Sequence, residues 1–258
     1  MDSYEQDLAY IHDAGFGDHC RRAAPWLLGM LGPGRGLVAD LGCGSGLWAQ
    51  ILTQRGYGVL GVDRSAAFLR MARRHAPRAK FVRASLWEAE LPRVRAVTAL
   101  GECLNYADGD GQDLSRLFAR IHAALEPGGV LVFDIAGLWR IPEDSPRRSW
   151  TEGDDWAVLV ETSGDRRRAM LTRRIVSFRK VGARFRRSEE VHRLRLYEPA
   201  RVLAALRRAG FEAQVLSGYG RYRLPKGLTV YCARKRAVVD IHRAGEYPDP
   251  QARRLTRI

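Results

Sequence analysis

The chain has almost no lysine: 39 of its 43 basic residues are arginine. It also lacks any apolar run of about 18 residues, so no membrane-spanning helix is expected. The opening "MDSYEQDLAYIHD" has neither the basic start nor the apolar stretch of a secretion signal, which makes a cytoplasmic location the expectation. The four cysteines, Cys20, Cys43, Cys103 and Cys232, are scattered. They form no CxxC pair and no disulfide spacing, so free thiols are expected, with no metal site. No internal repeat and no low-complexity tract occurs.

What is present fits a folded enzyme-sized domain. The chain has 258 residues, is 46% hydrophobic and carries a net charge of +14. That apolar share supports a real core. The positive charge raises nucleic acid as a partner, but an arginine skew of this kind also follows from genome base composition, which leaves a solvated arginine-rich surface or a basic patch for an acidic substrate as readings.

Between residues 37 and 137 strand and helix alternate. "LVAD", "VLGVD" (59–63), "AKFVRA", "RAVTALGE" (95–102) and "VLVFDIAG" read as strands. Helices are predicted at "LWAQILTQRG", at "AAFLRMARRH" behind the cap Ser65, and over 112–125, where Leu114, Leu117, Phe118, Ile121 and Leu125 recur at three and four. The strands are continuous apolar runs, which predicts a parallel sheet covered on both faces. Right-handed crossovers would gather the strand ends on one edge, where ligands bind.

Around this core the pattern changes. Residues 1–31 read as a helical cap in which Pro25 should start or kink a helix. "LWRIPEDSPRR" is loop-like, and 156–197 reads as long strands turning near Gly182, so 138–197 is expected to be an antiparallel insertion. Within 166–187 stand ten basic residues and no acidic one. "PARVLAALRRAG" (a helix), "FEAQVLSG" and "GLTVYCAR" (strands) complete a core of 32–137 plus 198–234. Residues 235–258 are expected to be a basic tail.

The stretch "VADLGCGSGLW" (38–48) carries three glycines behind Asp40. "GSGLWA" satisfies a dinucleotide pattern with Asp63 following, so an NAD(P)-dependent oxidoreductase is formally allowed. The glycines could also be no more than a tight turn. Asp40, expected beside the loop, would repel a pyrophosphate and favour a cationic ligand.

Several motifs in order resemble class I S-adenosylmethionine-dependent methyltransferases: "VADLGCGSG", "VLGVDRS", "LEPGGVLVFDI", and the closing pair "LRRAGFEAQVLSGYG" and "GLTVYCAR". The resemblance implies a doubly wound, mostly parallel seven-stranded sheet with an antiparallel last strand. It implies S-adenosylmethionine as cofactor, with Asp40, Gly42, Gly44 and Gly46 at the loop and Asp63 accepting the ribose hydroxyls. Arg64 would flank the adenine. Ser85 stands where the family often has an aspartate for the adenine amino group, with Leu86 and Trp87 lining that pocket. Leu100 and Gly101 would lie under the methionine portion.

Methyl transfer is an in-line displacement, so holding the nucleophile matters most, and a base is needed only for an acceptor that must lose a proton. The N-terminal aromatics Tyr4, Tyr10, His12 and Phe16 are expected near the donor. His12 is the first choice for a base and Tyr106 the second catalytic candidate. Glu102 and Asn105 should border the cleft, with Tyr219 and Arg221 on the opposite wall as substrate contacts. His192 is expected on a strand surface, and Cys43 and Cys103 as packing residues. The arginine-rich insertion would cover the substrate. A small-molecule acceptor is expected. An RNA methyltransferase and a non-catalytic S-adenosylmethionine-binding protein stand as alternatives. No NPPY-type tetrapeptide follows the fourth strand, which counts against methylation of nucleobase amino groups.

Overall fold

The computed structural model describes residues 4–33, 35–107 and 113–237. Most of the expected tail, from residue 238, lies outside the described residues.

Two helices open the chain, α1 (Gln6–Phe16) and α2 (Asp18–Leu31). Pro25 sits inside α2 and does not start it. The helix continues through it because Ala23, Ala24, Leu27 and Leu31 are buried against Val38, Trp48 and Ala96, and this packing outweighs one missing backbone hydrogen bond. Then follow β1 (Leu37–Leu41), α3 (Leu47–Gln54), β2 (Gly58–Asp63), α4 (Ala66–His75), β3 (Lys80–Arg83), β4 (Val94–Ala99), α5 (Leu114–Ala124) and β5 (Leu125–Ala136). Ser65 caps α4 as expected, its Oγ accepting from the Phe68 amide at 3.1 Å.

After a short turn at Leu138–Arg140 come β6 (Arg147–Glu152), β7 (Trp156–Asp165), β8 (Met170–Val181) and β9 (Arg184–Arg195). The chain returns through α6 (Pro199–Arg208) and β10 (Phe211–Leu216). It then makes the short pair β11 (Gly218–Tyr219) and β12 (Tyr222–Arg223) and ends in β13 (Leu228–Lys235).

Seven strands form one sheet in the order β10-β13-β5-β4-β1-β2-β3. β1 to β5 are parallel, and β13 is antiparallel to both β5 and β10. Its two faces bury separate clusters. Ala39, Leu41, Val97, Phe118 and Phe133 lie on one face, and Val38, Ala96, Trp48 and Leu27 on the other. That two-sided burial is why the strands read as continuous apolar runs.

The second sheet is antiparallel, β6-β7-β8-β9. Gly182, at φ 62°, makes the tight turn between β8 and β9. β6 falls in part where a loop was expected. It is an edge strand, exposed along its whole length, and so shows no apolar alternation to read.

Candidate active site

Because β1, β2, β4 and β5 run in one direction, their carboxyl ends open on one edge of the sheet. The inner face of the antiparallel sheet and the N-terminal helices stand over that edge. Between them lies a cavity of about 600 Å³. Its floor is drawn from Gly42 to Ser45, Asp63 to Ser65, Ser85 to Trp87, and Leu100 to Cys103. Its roof comes from Tyr4, Leu8, His12, Phe16 and the strand residues Ser149, Thr151, Val158, Val160, Thr162, Arg173 and Ile175. The alternation 158, 160, 162 and 173, 175 is the period-two signature of one sheet face.

The glycine loop has a different reason at each end. Gly44 lines the cavity at φ 51°, and a Cβ there would meet no protein atom within 4 Å. A side chain at 44 would therefore occupy ligand space. Gly46 does not line the cavity. It caps α3 at φ 81°, and a Cβ would meet Ala72 Cα at 2.8 Å, so its bareness serves the packing of α3 on α4.

Asp63 ends β2 and faces the loop. Its Oδ2 accepts from the Gly44 amide at 2.9 Å and its Oδ1 from the Ser65 amide at 2.8 Å. Burial raises its pKa, partly offset by these amides. Its remaining lone pairs can accept two ribose hydroxyls.

Asp40 departs from expectation. It is 3% exposed, absent from the cavity wall, and its Oδ1 accepts from Thr98 Oγ1 at 2.8 Å, which in turn accepts from Trp48 Nε1 at 3.1 Å. Strand alternation turns it sideways, onto the face shared with Val38, and away from the strand end. Burial pushes its pKa up to about 7. The acid at the cavity floor is instead Asp134 of β5, which sequence reading missed. It accepts from the amides of Gly101 (2.9 Å) and Glu102 (2.7 Å) and from Tyr219 Oη (2.6 Å), and His19 Nε2 lies 3.3 Å away. Burial alone would raise its pKa; these partners outweigh burial and hold it below the usual range. A lone carboxylate in the apolar run "VLVFDIA" was the available signal.

Of the other expected residues, Gly42, Arg64, Ser85, Leu86, Trp87, Leu100, Gly101, Glu102, Tyr106, His12, Tyr4 and Phe16 line the cavity. Asn105, Tyr219 and Arg221 do not. Asn105 is fully buried, its Nδ2 donating to the carbonyls of Ala136 and Arg195 and its Oδ1 accepting from the Ala136 amide. It ties the two sheets together. Tyr219 supports Asp134 from below, and Arg221 is exposed. Tyr10 turns away, donating to Asp155 at 2.9 Å beneath Arg179. Cys43 and Cys103 are free thiols on the wall whose pKa values burial raises well above normal.

His192 is a correction: it is 1% exposed, not on a strand surface. Its Nε2 lies 2.8 Å from Glu190 Oε2, and its Nδ1 is 3.5 Å from Tyr106 Oη. The phenol oxygens of Tyr106 and Tyr4 are 2.7 Å apart, and the Tyr4 amide donates to Glu190 at 2.7 Å. Burial raises both phenol pKa values, that of Tyr4 to about 12, and lowers that of His12 to about 4. Both tyrosines thus remain hydroxyls and His12 remains a neutral imidazole near neutral pH.

These residues fit S-adenosylmethionine. The floor offers bare backbone at Gly44, a carboxylate at Asp63 that would accept ribose hydroxyls, and Ser85 to Trp87, which would border an adenine. Asp63 and Asp134 make it unfavourable for a diphosphate. Among the described residues no group of His, Cys, Asp and Glu could hold a metal, and no helix is long and apolar enough to cross a membrane.

Comparison with known proteins agrees. Residues 38–129 match the family model of a methyltransferase domain. A trans-aconitate 2-methyltransferase from Paracidovorax citrulli is 32% identical over 127 residues, covering 48% of this chain and 47% of that protein. The chain thus spans about half the length of the first curated relatives it matches. Among solved structures, an S-adenosylmethionine-dependent methyltransferase from Clostridium acetobutylicum superposes with a TM-score of 0.75 at 16% identity, over 89% of this chain and 98% of that one. The sugar N-methyltransferase KedS8 from Streptoalloteichus does so with 0.71 at 22%, over 92% and 94%. Residues 38–129 are thus similar to a methyltransferase domain, and the sheet order is that of the fold shared with the solved S-adenosylmethionine-dependent methyltransferases on which the chain superposes.

Proposed function

We propose that this protein transfers a methyl group from S-adenosylmethionine to a nitrogen, oxygen or carbon atom of a small molecule. The observation that carries the reading is the two-ended cavity: a backbone cradle with an acid suited to a ribose below, and a space roofed by a sheet above. A roofed cleft of this size suits a metabolite. The relatives named for trans-aconitate and for sugar substrates support a small acceptor. Several arginines of the insertion are already paired with acids of the same sheet. Arg148 pairs with Glu161 at 2.7 Å, and Arg174 and Arg187 both pair with Glu189 at 2.6 Å.

When bound, the donor supplies an activated methyl group. The protein's residues do the rest. Gly44 and Gly101 leave room for it, and Asp63 fixes its ribose. Tyr4, Leu8, His12 and Phe16 exclude water from above. A nucleophile must be held in line at about 3 Å, and the roof residues are placed to do this. For an acceptor that must lose a proton, neutral His12 is one base on the wall, and Tyr106 can orient the acceptor by donating a hydrogen bond.

Calorimetry with S-adenosylhomocysteine and with NAD(H) tests the donor. Binding of the first and not the second is expected, and the reverse would overturn the reading. A donor-consumption assay over a pooled metabolite extract, with tRNA as a parallel acceptor, then tests the acceptor. Turnover on tRNA alone would remove the small-molecule part.

A further inference from the structure

Away from the glycine loop, the same cavity wall carries a second charged cluster. Arg173, on the inner face of β8, straddles one carboxylate: its Nη2 lies 3.3 and 3.2 Å from the two oxygens of Glu102. Arg140, in the turn after β5, approaches the same carboxylate with Nη2 3.9 Å from Oε1, too long for a hydrogen bond. Its Nε is buried and has no hydrogen-bond partner. The side chains of Glu102, Arg173 and Arg140 are only 13%, 19% and 28% exposed. Two half-buried guanidiniums therefore share a single acid, and a buried cation without acceptors is unfavourable until something supplies them.

Among the described residues no second acid is paired with them. Asp63 and Asp134 are held by backbone amides and Tyr219 at the cavity floor, and Glu190 is taken up by His192 and the Tyr4 and Glu5 amides. Thr162, paired in register with Arg173, also lines the cavity and adds a hydroxyl beside it.

We propose that Arg140 and Arg173, with Thr162, form a subsite for a carboxylate group on the methyl acceptor, and that Glu102 sets its strength by competing for the same guanidiniums. One surplus positive charge matches one carboxylate and under-compensates a phosphate dianion. The planar fork of arginine suits a carboxylate. The inference rests on the methyltransferase reading for the identity of the acceptor, but anion binding can be measured without turnover.

The full chain, saturated with S-adenosylhomocysteine, is titrated calorimetrically with acetate, succinate, tricarballylate, inorganic phosphate and glucosamine. At least one carboxylate should bind, with phosphate and glucosamine weaker. Arg140→Gln should weaken that binding tenfold or more while S-adenosylhomocysteine affinity stays within twofold, and Arg140→Lys should recover part of it. Glu102→Gln, which removes the competing acid, should tighten carboxylate binding at least threefold. A merely structural arginine would not give opposite signs at these two positions. The proposal is overturned if no carboxylate binds, if phosphate binds in preference, or if Arg140→Gln changes nothing. Failure of S-adenosylhomocysteine itself to bind would overturn the methyltransferase reading instead.

Discussion

The floor and the roof of the cavity are built on different principles. The floor is mainly backbone: strand ends of a parallel sheet, bare glycines, and two acids, Asp63 and Asp134, each locked by amides. The roof is made of side chains from one face of an antiparallel sheet and one side of α1. A backbone floor fixes one ligand whatever the neighbouring side chains are. A roof of alternating side chains can be rewritten one residue at a time without disturbing the fold. The donor is thus legible from motifs, while the acceptor depends on which roof residues meet.

The largest expected effect tests that contrast with one residue type. Gly46→Leu, just behind the floor, meets the Ala72 backbone and a left-handed φ, and should cost about 3 kcal/mol or more, or prevent folding. Gly182→Ala, in the turn between β8 and β9, has a similar φ but open space, and should cost only about 1 kcal/mol. Thermal melts of both variants check this; equal losses would break the distinction between a packed floor and an open edge.

Next, Asp63→Ala should reduce S-adenosylhomocysteine affinity by about 1–3 kcal/mol through two lost charge-assisted bonds, measured by calorimetry. Unchanged affinity would place the ribose elsewhere.

A smaller effect lies in pH dependence, where the sheet core behind the floor and the roof oppose each other. Asp40 has a folded pKa raised to about 7, so the folded state binds its proton more tightly than the unfolded one, and its burial destabilises progressively as pH rises from about 4 to 7. His12 has a folded pKa lowered to about 4, so it contributes stability above about 6.5 that is lost as pH falls towards 4. Asp40→Asn should therefore steepen the rise of melting temperature between pH 4.5 and 7, and His12→Gln should turn it towards a fall. Parallel curves for the two variants would sink both assignments.

The smallest effect is expected at Arg148→Ala, which breaks an exposed pair with Glu161 and should change stability by less than about 1 kcal/mol in a urea melt.

Legibility followed the same division. The strand runs, the Ser65 cap, the periodic helix at 114–124 and the turn at Gly182 were readable because each depends on neighbours in sequence. Strand β6 was not, since an exposed edge strand needs no apolar pattern. Asp40 was misplaced because sequence gives a residue's order on a strand and not which face it takes once helices pack on both sides. Asn105, expected in the cleft, is drawn into joining the two sheets.

By itself, then, the amino-acid order determined the parallel sheet, the glycine turn and the acid that ends the second strand, because these are local: chain direction, backbone freedom and burial period. Only the tertiary structure decided that Asp134 and not Asp40 floors the cavity, that His192 is buried behind Tyr106, and that Arg140, Arg173 and Glu102 meet. Those residues come from strands and turns far apart in the chain, and no spacing rule records a contact made by folding one sheet over the edge of another.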